Sequence, residues 1–499
     1  MPERRLVLLA LTALTALVLT GCGTTLTGVK GQPVSGGPPP TTAATPEAPE
    51  TDVVTPDADD PAYDIALSEP VEDSYYPEVG DPGVDALHYD LSLAWTPRSR
   101  SLEGVTTLVF RATGDADSFQ LDLAPALDVS RVTVDGEKVD ADHAGKDLVV
   151  ASDVVEDRRY VVEVRYTGTP EPVAAPTTRS DFSTTGFTVT PSGEAWTMQE
   201  PYGAHTWYPV NDHPSDKALY DFTLSVPSPW VGVANGELAE RTDAAGTTTT
   251  RWHLAEPAAS YLTTVAFGDY TSTSNTSASG VEITYWVPTG SPRLAAGLEA
   301  AAAGLDWLEG RLGPYPFDTL GFVLVDSQSG METQTMITLG KTDYTLSEPV
   351  LVHEMAHQWY GDQVSPHDWR DVWMNEGMTM YLQGMWEAES TGITIDEQMD
   401  AYAATEATSR AESGPPAAYD PGEFGEGNIY YGPALMWHEL RERIGDDAFF
   451  SIVRDWPTAR DNRSAGRDDY WAWLEKETGE ELTAFLDAWL LGAETPPRD

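Results

Sequence analysis

The stretch Val350–Val364, "VLVHEMAHQWYGDQV", holds two of the nine histidines of a 499-residue chain. Val350, Leu351, Met355, Ala356 and Trp359 make it an apolar helix that must be buried, where unpaired histidines are costly. His353 and His357 stand at i and i+4, so both imidazoles project from one face within reach of one ion. Glu354 points beside that ion, placed to take a proton from a water. A catalytic zinc takes three protein ligands and leaves one position for water. After eighteen intervening residues comes Glu376, in a second helical pattern, "WMNEGMTMYLQ". The connecting "GDQVSPHDW" has the Gly, Pro and Asp needed to turn the chain back. One Zn2+ held by His353, His357 and Glu376 is predicted.

The rest of the chain narrows the setting. With 41% hydrophobic residues and 16 Trp it has ample material for buried cores. Its 80 acidic against 29 basic residues give a formal charge of −51, which repels phosphates and anionic headgroups. Nucleic acid is therefore excluded as an expected partner. The single cysteine, Cys22, rules out an intramolecular disulfide. It ends "MPERRLVLLALTALTALVLTGC": two arginines, an apolar run from Leu6 to Leu19, and a small-residue cleavage site. That order is a secretory signal, too short to span a membrane. Leu19-Thr20-Gly21-Cys22 resembles the lipobox of bacterial lipoproteins, which implies acylation of Cys22 and an extracytoplasmic, membrane-anchored chain. Both general secretory and twin-arginine export fit the Arg4-Arg5 pair.

Four regions follow. Residues 1–22 form the signal. Residues 23–76, rich in Pro, Thr, Gly and acids, are predicted to be a disordered tether. Between 77 and 288, short alternating runs such as "LHYDLSLAW", "RYVVEVRYTG" and "VEITYWVP" predict an antiparallel β domain. From 289 to 499 the texture is α-rich around a buried strand, "TLGFVLVD". Helices are predicted over "PRLAAGLEAAAAGLDWLEGRLG" and near 347–361, 371–388, 396–411, 431–444 and 480–490.

"HEMAHQWYGDQV" followed at this spacing by "WRDVWMNEG" resembles the gluzincin aminopeptidases of the aminopeptidase N and leukotriene hydrolase type. "SGMETQT" (329–335), "NIYYGPALMWHELR" (428–441) and "MQEPYGAHTWYPVNDHPSDKALY" (198–220) fall in that family's order. The resemblance implies an α+β fold, with a saddle-like β domain before a thermolysin-like catalytic domain. It also implies hydrolysis of N-terminal residues from peptides, with Glu354 as general base. Tyr430, counted back from Leu440-Arg441 in preference to Tyr431, becomes the oxyanion donor. Glu332 and Glu200 become the acceptors of the substrate's free α-ammonium, and Gly330 and Met331 line its backbone. Ser329, Thr333, Met198 and His205 depart from the family pattern, which bears on side-chain preference. The other six histidines (88, 143, 213, 253, 367, 438) read as structural or surface residues.

The family's larger members continue past the point where "AFLDAWLLGAETPPRD" ends. The resemblance therefore implies a more open site, and a monomer is expected. Two other readings stay open at this stage: a thermolysin-type zinc endopeptidase, and a non-catalytic surface protein on the same fold.

Overall fold

The computed structural model describes residues 55–498. Cys22, the signal and most of the tether lie outside the described residues. Val84–Thr96 starts an eight-stranded sheet, and it alternates as its sequence does. Tyr89, Leu91, Leu93 and Trp95 turn inward, whereas Asp90 faces solvent. The spatial order is 237–244, 247–259, 217–227, 84–96, 101–112, 159–168, 127–134 and 137–139. Neighbours are antiparallel with one exception: Val84–Thr96 lies parallel to Lys217–Pro227, in register from His88–Leu219 to Ala94–Ser225. Alternation reveals which face is buried and leaves strand direction open, so this pair was not legible. A five-stranded sheet packs with it, and its strand Ala195–Met198 leads directly into Gln199 and Glu200.

Part of the stretch predicted as a tether, from Asp60 to Tyr76, is bound to the folded protein. Pro61–Ala66 forms a 3-10 turn capped by Asp60, whose side chain accepts from Ala62 N. Ala66 closes over Leu87, Val109 and Val161, apolar residues on the outer face of the large sheet. Asp73 Oδ2 then accepts from Trp369 N at 2.7 Å, Ser74 Oγ donates to Asp368 at 2.8 Å, and Tyr76 donates to the Pro421 carbonyl at 2.9 Å. Composition marked this stretch as polar and proline-rich. Those same polar atoms are what bind it down.

The expected boundary at 288 also moves. Strand Glu282–Pro288, which reads like a β-domain strand, and its polar hairpin partner Tyr270–Thr276 pair into the other lobe's sheet, beside Thr319–Val325. Thr319–Val325 is flanked by parallel neighbours and buried on both faces, which gives it the continuous apolar run of a central strand. Gly330–Met331 forms the far edge, paired with Met336–Gly340. Around this sheet come α1 (Pro292–Gly297), α2 (Ala301–Leu312), α3 (Glu348–Ala356), α4 (Trp373–Thr391), α5 (Ile395–Ser413), α6 (Asn428–Ile444), α7 (Asp446–Ala459), α8 (Arg467–Thr478) and α9 (Thr483–Leu490). The alanine-rich helix is thus two, and α7 and α8 were not anticipated. One core lies within the helical lobe; the other fills the β lobe and extends across to Val323, Met331, Trp369 and Phe424 of the helical lobe, and Tyr430 packs against both.

Candidate active site

Pro349 in the first turn of α3 suits a position whose N–H has no helical partner. His353 lies in its last turn and His357 is the residue that caps it. Their Nε2 atoms are 3.2 Å apart. Glu376, in the first turn of α4, brings Oε2 to 3.2 Å from His353 Nε2 and 3.4 Å from His357 Nε2. A tetrahedral ion with bonds of ~2.0–2.1 Å holds its ligand atoms about 3.3 Å apart, so this triangle fits zinc. The alternative, three buried polar atoms facing one another, leaves Glu376 Oε2 without a hydrogen bond. His357 Nδ1 faces the Tyr360 carbonyl at 3.0 Å, which turns the Nε2 lone pair toward the ligand centre.

The edge strand runs alongside α3. Gln358, one residue beyond His357, donates from Nε2 to the Glu332 carbonyl at 3.0 Å. At the other end a methyl added to Gly330 would lie 2.4 Å from Glu354 Oε1, so glycine there lets the carboxylate sit against the strand. Burial, reinforced by the Glu332 carboxylate, pushes Glu354 up to about 8. A proton acceptor working near neutral pH needs a pKa in that region. Glu200, Glu332 and Glu376 place carboxylate oxygens within 4.8 Å of one another. Burial raises both Glu200 and Glu332, and each keeps a buried Oε1 with no hydrogen-bond partner. Such a pair lacks a cation.

These residues line one cleft of about 460 Å³, together with Ser329, Gly330, Met331, Met198, Val350 and Met380. Tyr430 enters it with its ring 6.2 Å from that of His353. Tyr431 also reaches the cleft but leans on Tyr402, 5.2 Å between rings. Two departures from the family pattern turn away from the cleft. Thr333 is buried and donates to the Met336 carbonyl. His205 is buried against Asp212, Nδ1 to Oδ2 2.8 Å. Met198 and Ser329 remain as lining residues whose identity bears on preference.

Arg179 was missed. It comes from the loop before Thr184–Val189 in the β lobe, lines the cleft, and has Nη1 3.4 Å from Tyr430 Oη. One arginine in a polar loop some 170 residues before the metal motif carries no sequence signal. Only the fold brings it in.

A β lobe that delivers Glu200 beside a two-histidine, one-glutamate centre on adjacent helices, with Glu332 supplied just after the edge strand of the helical lobe's sheet, defines the architecture of a zinc-dependent hydrolase. Two family models match the chain: the peptidase M1 N-terminal domain over residues 85–262 and the peptidase family M1 domain over residues 297–489. The chain belongs to peptidase family M1, and one zinc ion is the cofactor of its site.

Among solved structures it is similar to the M1 zinc metallopeptidase from Deinococcus radiodurans, with 27% identity and a TM-score of 0.77. That match covers 86% of this chain and 98% of that one. A mutant of the Deinococcus protein bound to a Tyr-Ser-Ala substrate matches at 26% identity and a TM-score of 0.77, over 86% and 99% of the two chains. Aminopeptidase N of Streptomyces lividans is 26% identical over 451 residues, 82% of this chain and 50% of its own length. A probable aminopeptidase 1 of Sulfurisphaera tokodaii is 24% identical over 78% of this chain and 51% of its own. The chain spans about half the length of the curated relatives it matches.

Proposed function

We propose that the protein is a zinc aminopeptidase that removes N-terminal residues from peptides. The observation that carries the reading is a pair of carboxylates beside the metal ligand Glu376, half-buried Glu200 and buried Glu332, each with a buried Oε1 that no Lys or Arg among the described residues pairs with. An α-ammonium fits there through charge-assisted hydrogen bonds. That contact fixes the scissile bond one residue further on. His353, His357 and Glu376 would hold the zinc, which would supply Lewis acidity to the scissile carbonyl and to the attacking water. Glu354 takes the proton from the attacking water and returns it to the leaving amine. The Tyr430 hydroxyl donates to the carbonyl oxygen as charge develops on it. Gly330 and Met331 present backbone at the open sheet edge, where an extended peptide can lie as an added strand.

A panel of aminoacyl anilides, each with and without chelator and each with an N-acetylated twin, tests this. Turnover should be abolished by chelation and restored by zinc. Acetylation, and Glu332→Ala, should each lower kcat/KM about 30-fold or more, the ~2 kcal/mol of a lost charged hydrogen bond. Equal turnover of blocked and free substrates would instead support an endopeptidase.

The cellular setting belongs to the same proposal. The N-terminal sequence supports an exported chain, acylated at Cys22 and held to the membrane by that anchor alone, acting on extracytoplasmic peptides; a monomer is part of the same proposal. Cys22→Ser should move the protein from the detergent phase to the aqueous phase on partitioning. An unchanged partition would remove the anchor from the proposal.

A further inference from the structure

The residue that reaches Tyr430 from the β lobe is held with unusual completeness. Residues 175–183 cross to the loop that leads into α6 and fasten it at successive points. The Pro176 carbonyl accepts from Phe424 N at 2.8 Å, and Thr178 Oγ1 donates to Glu426 at 2.7 Å. Arg179 Nη1 donates to the Gly425 carbonyl at 2.7 Å. Its Nε and Nη2 grip the two oxygens of Asp181 at 3.1 and 2.6 Å, and the guanidinium carbon stacks 4.4 Å from the Phe182 ring centre. Gly425 has φ +76°, and a methyl there would lie 2.6 Å from Phe182 Cζ. Glycine is what allows the two loops to close.

One direction is left for Nη1, and it leads to Tyr430 Oη at 3.4 Å. Arginine has donors and no acceptor. The tyrosine oxygen must therefore be the acceptor in this contact, and its own proton has to point elsewhere. Arg179 is also the one lysine or arginine among the residues lining the cleft, which carries six glutamates. A positive charge at this point favours the electron-rich form of the phenol as it donates.

We infer that Arg179, clamped by Asp181, is a positioning residue for Tyr430. By occupying a lone pair of the hydroxyl it reserves the phenolic proton for the carbonyl oxygen of the substrate. The inference rests on the aminopeptidase reading above, because it assigns a role within that reaction.

A double-mutant cycle tests it, with kcat, KM, zinc content and thermal midpoint measured for each protein. Tyr430→Phe should lower kcat about 100-fold, the scale of losing one oxyanion donor. Arg179→Ala should lower kcat about tenfold with KM and zinc content unchanged, consistent with a misdirected donor. Arg179→Lys should recover part of that loss, and Asp181→Asn, which loosens the guanidinium without removing it, should give a smaller fall of the same sign. In the Tyr430→Phe background none of the three should change kcat more than about twofold, since coupled groups are not additive.

The same factor in both backgrounds, a rise in KM at constant kcat, or no effect of Arg179→Ala would each overturn the positioning role. If Arg179→Ala does not fold, Arg179→Lys and Asp181→Asn carry the test. A wild-type protein that hydrolyses no anilide sinks the functional reading, and the role of Arg179 with it. An active wild type with an additive cycle sinks only the latter.

Discussion

Glu354→Gln is expected to lower kcat on aminoacyl anilides by a factor on the order of 10³, within the range for removal of a positioned proton acceptor. The amide keeps the shape and the contact with Gly330, so zinc content, KM and thermal midpoint should stay at wild-type values. What it loses is proton affinity. The wild-type carboxylate owes that affinity to burial first and to the Glu332 charge second, which together set it at about 8. A variant within threefold of wild type would show that another group handles the proton. A variant that loses both rate and zinc would place Glu354 among the ligands.

Glu376→Ala should act through the metal. It removes one corner of a triangle whose sides are 3.2, 3.2 and 3.4 Å. Zinc affinity should fall by more than the roughly 10–100-fold that loss of a supporting hydrogen bond costs. Competition with a chromogenic chelator reads this directly, without reference to turnover. Thermal melts give a second readout. An ion that binds only the folded state raises its stability by RT ln(1 + [L]/Kd). Zinc should therefore shift the wild-type midpoint upward and leave that of the variant in place. A variant that retains one zinc per chain at wild-type affinity would end the assignment of Glu376 as a ligand.

The two lobes were legible to different degrees. Helical spacing places His353 and His357 on one face whatever surrounds them, and a turn-rich link of the right length brings Glu376 back. The convergence of these three side chains could therefore be read from residues alone. Glu200 and Glu332 are single acids among 80, and only the resemblance of their segments singled them out. Their lack of counter-charges is visible only once three chain segments are brought together. Arg179 shows the limit from the other side, because its partners Gly425 and Tyr430 lie some 250 residues away. Period-two alternation likewise identified strands well and their sheets poorly, as the hairpin Tyr270–Pro288 shows. Helix α7 was missed although Phe449, Ile452, Val453 and Trp456, buried along one stripe, gave it a pattern to read. Helix α8 buries only Tyr470 and Leu474, too little apolar pattern to stand out.

The segment from Asp60 to Tyr76 has a mechanical consequence. It is stitched to the outer face of the large sheet through Ala66, then to the helical lobe through Asp73, Ser74 and Tyr76. A force pulling on the chain upstream meets these fastenings before it reaches the first strand, Val84–Thr96. The load then falls on both lobes at once, at points away from the cleft where Glu200 of one meets the metal ligands of the other. A shortened form that starts at Pro77 would lose this strap, whereas one that starts near Asp57 would keep it.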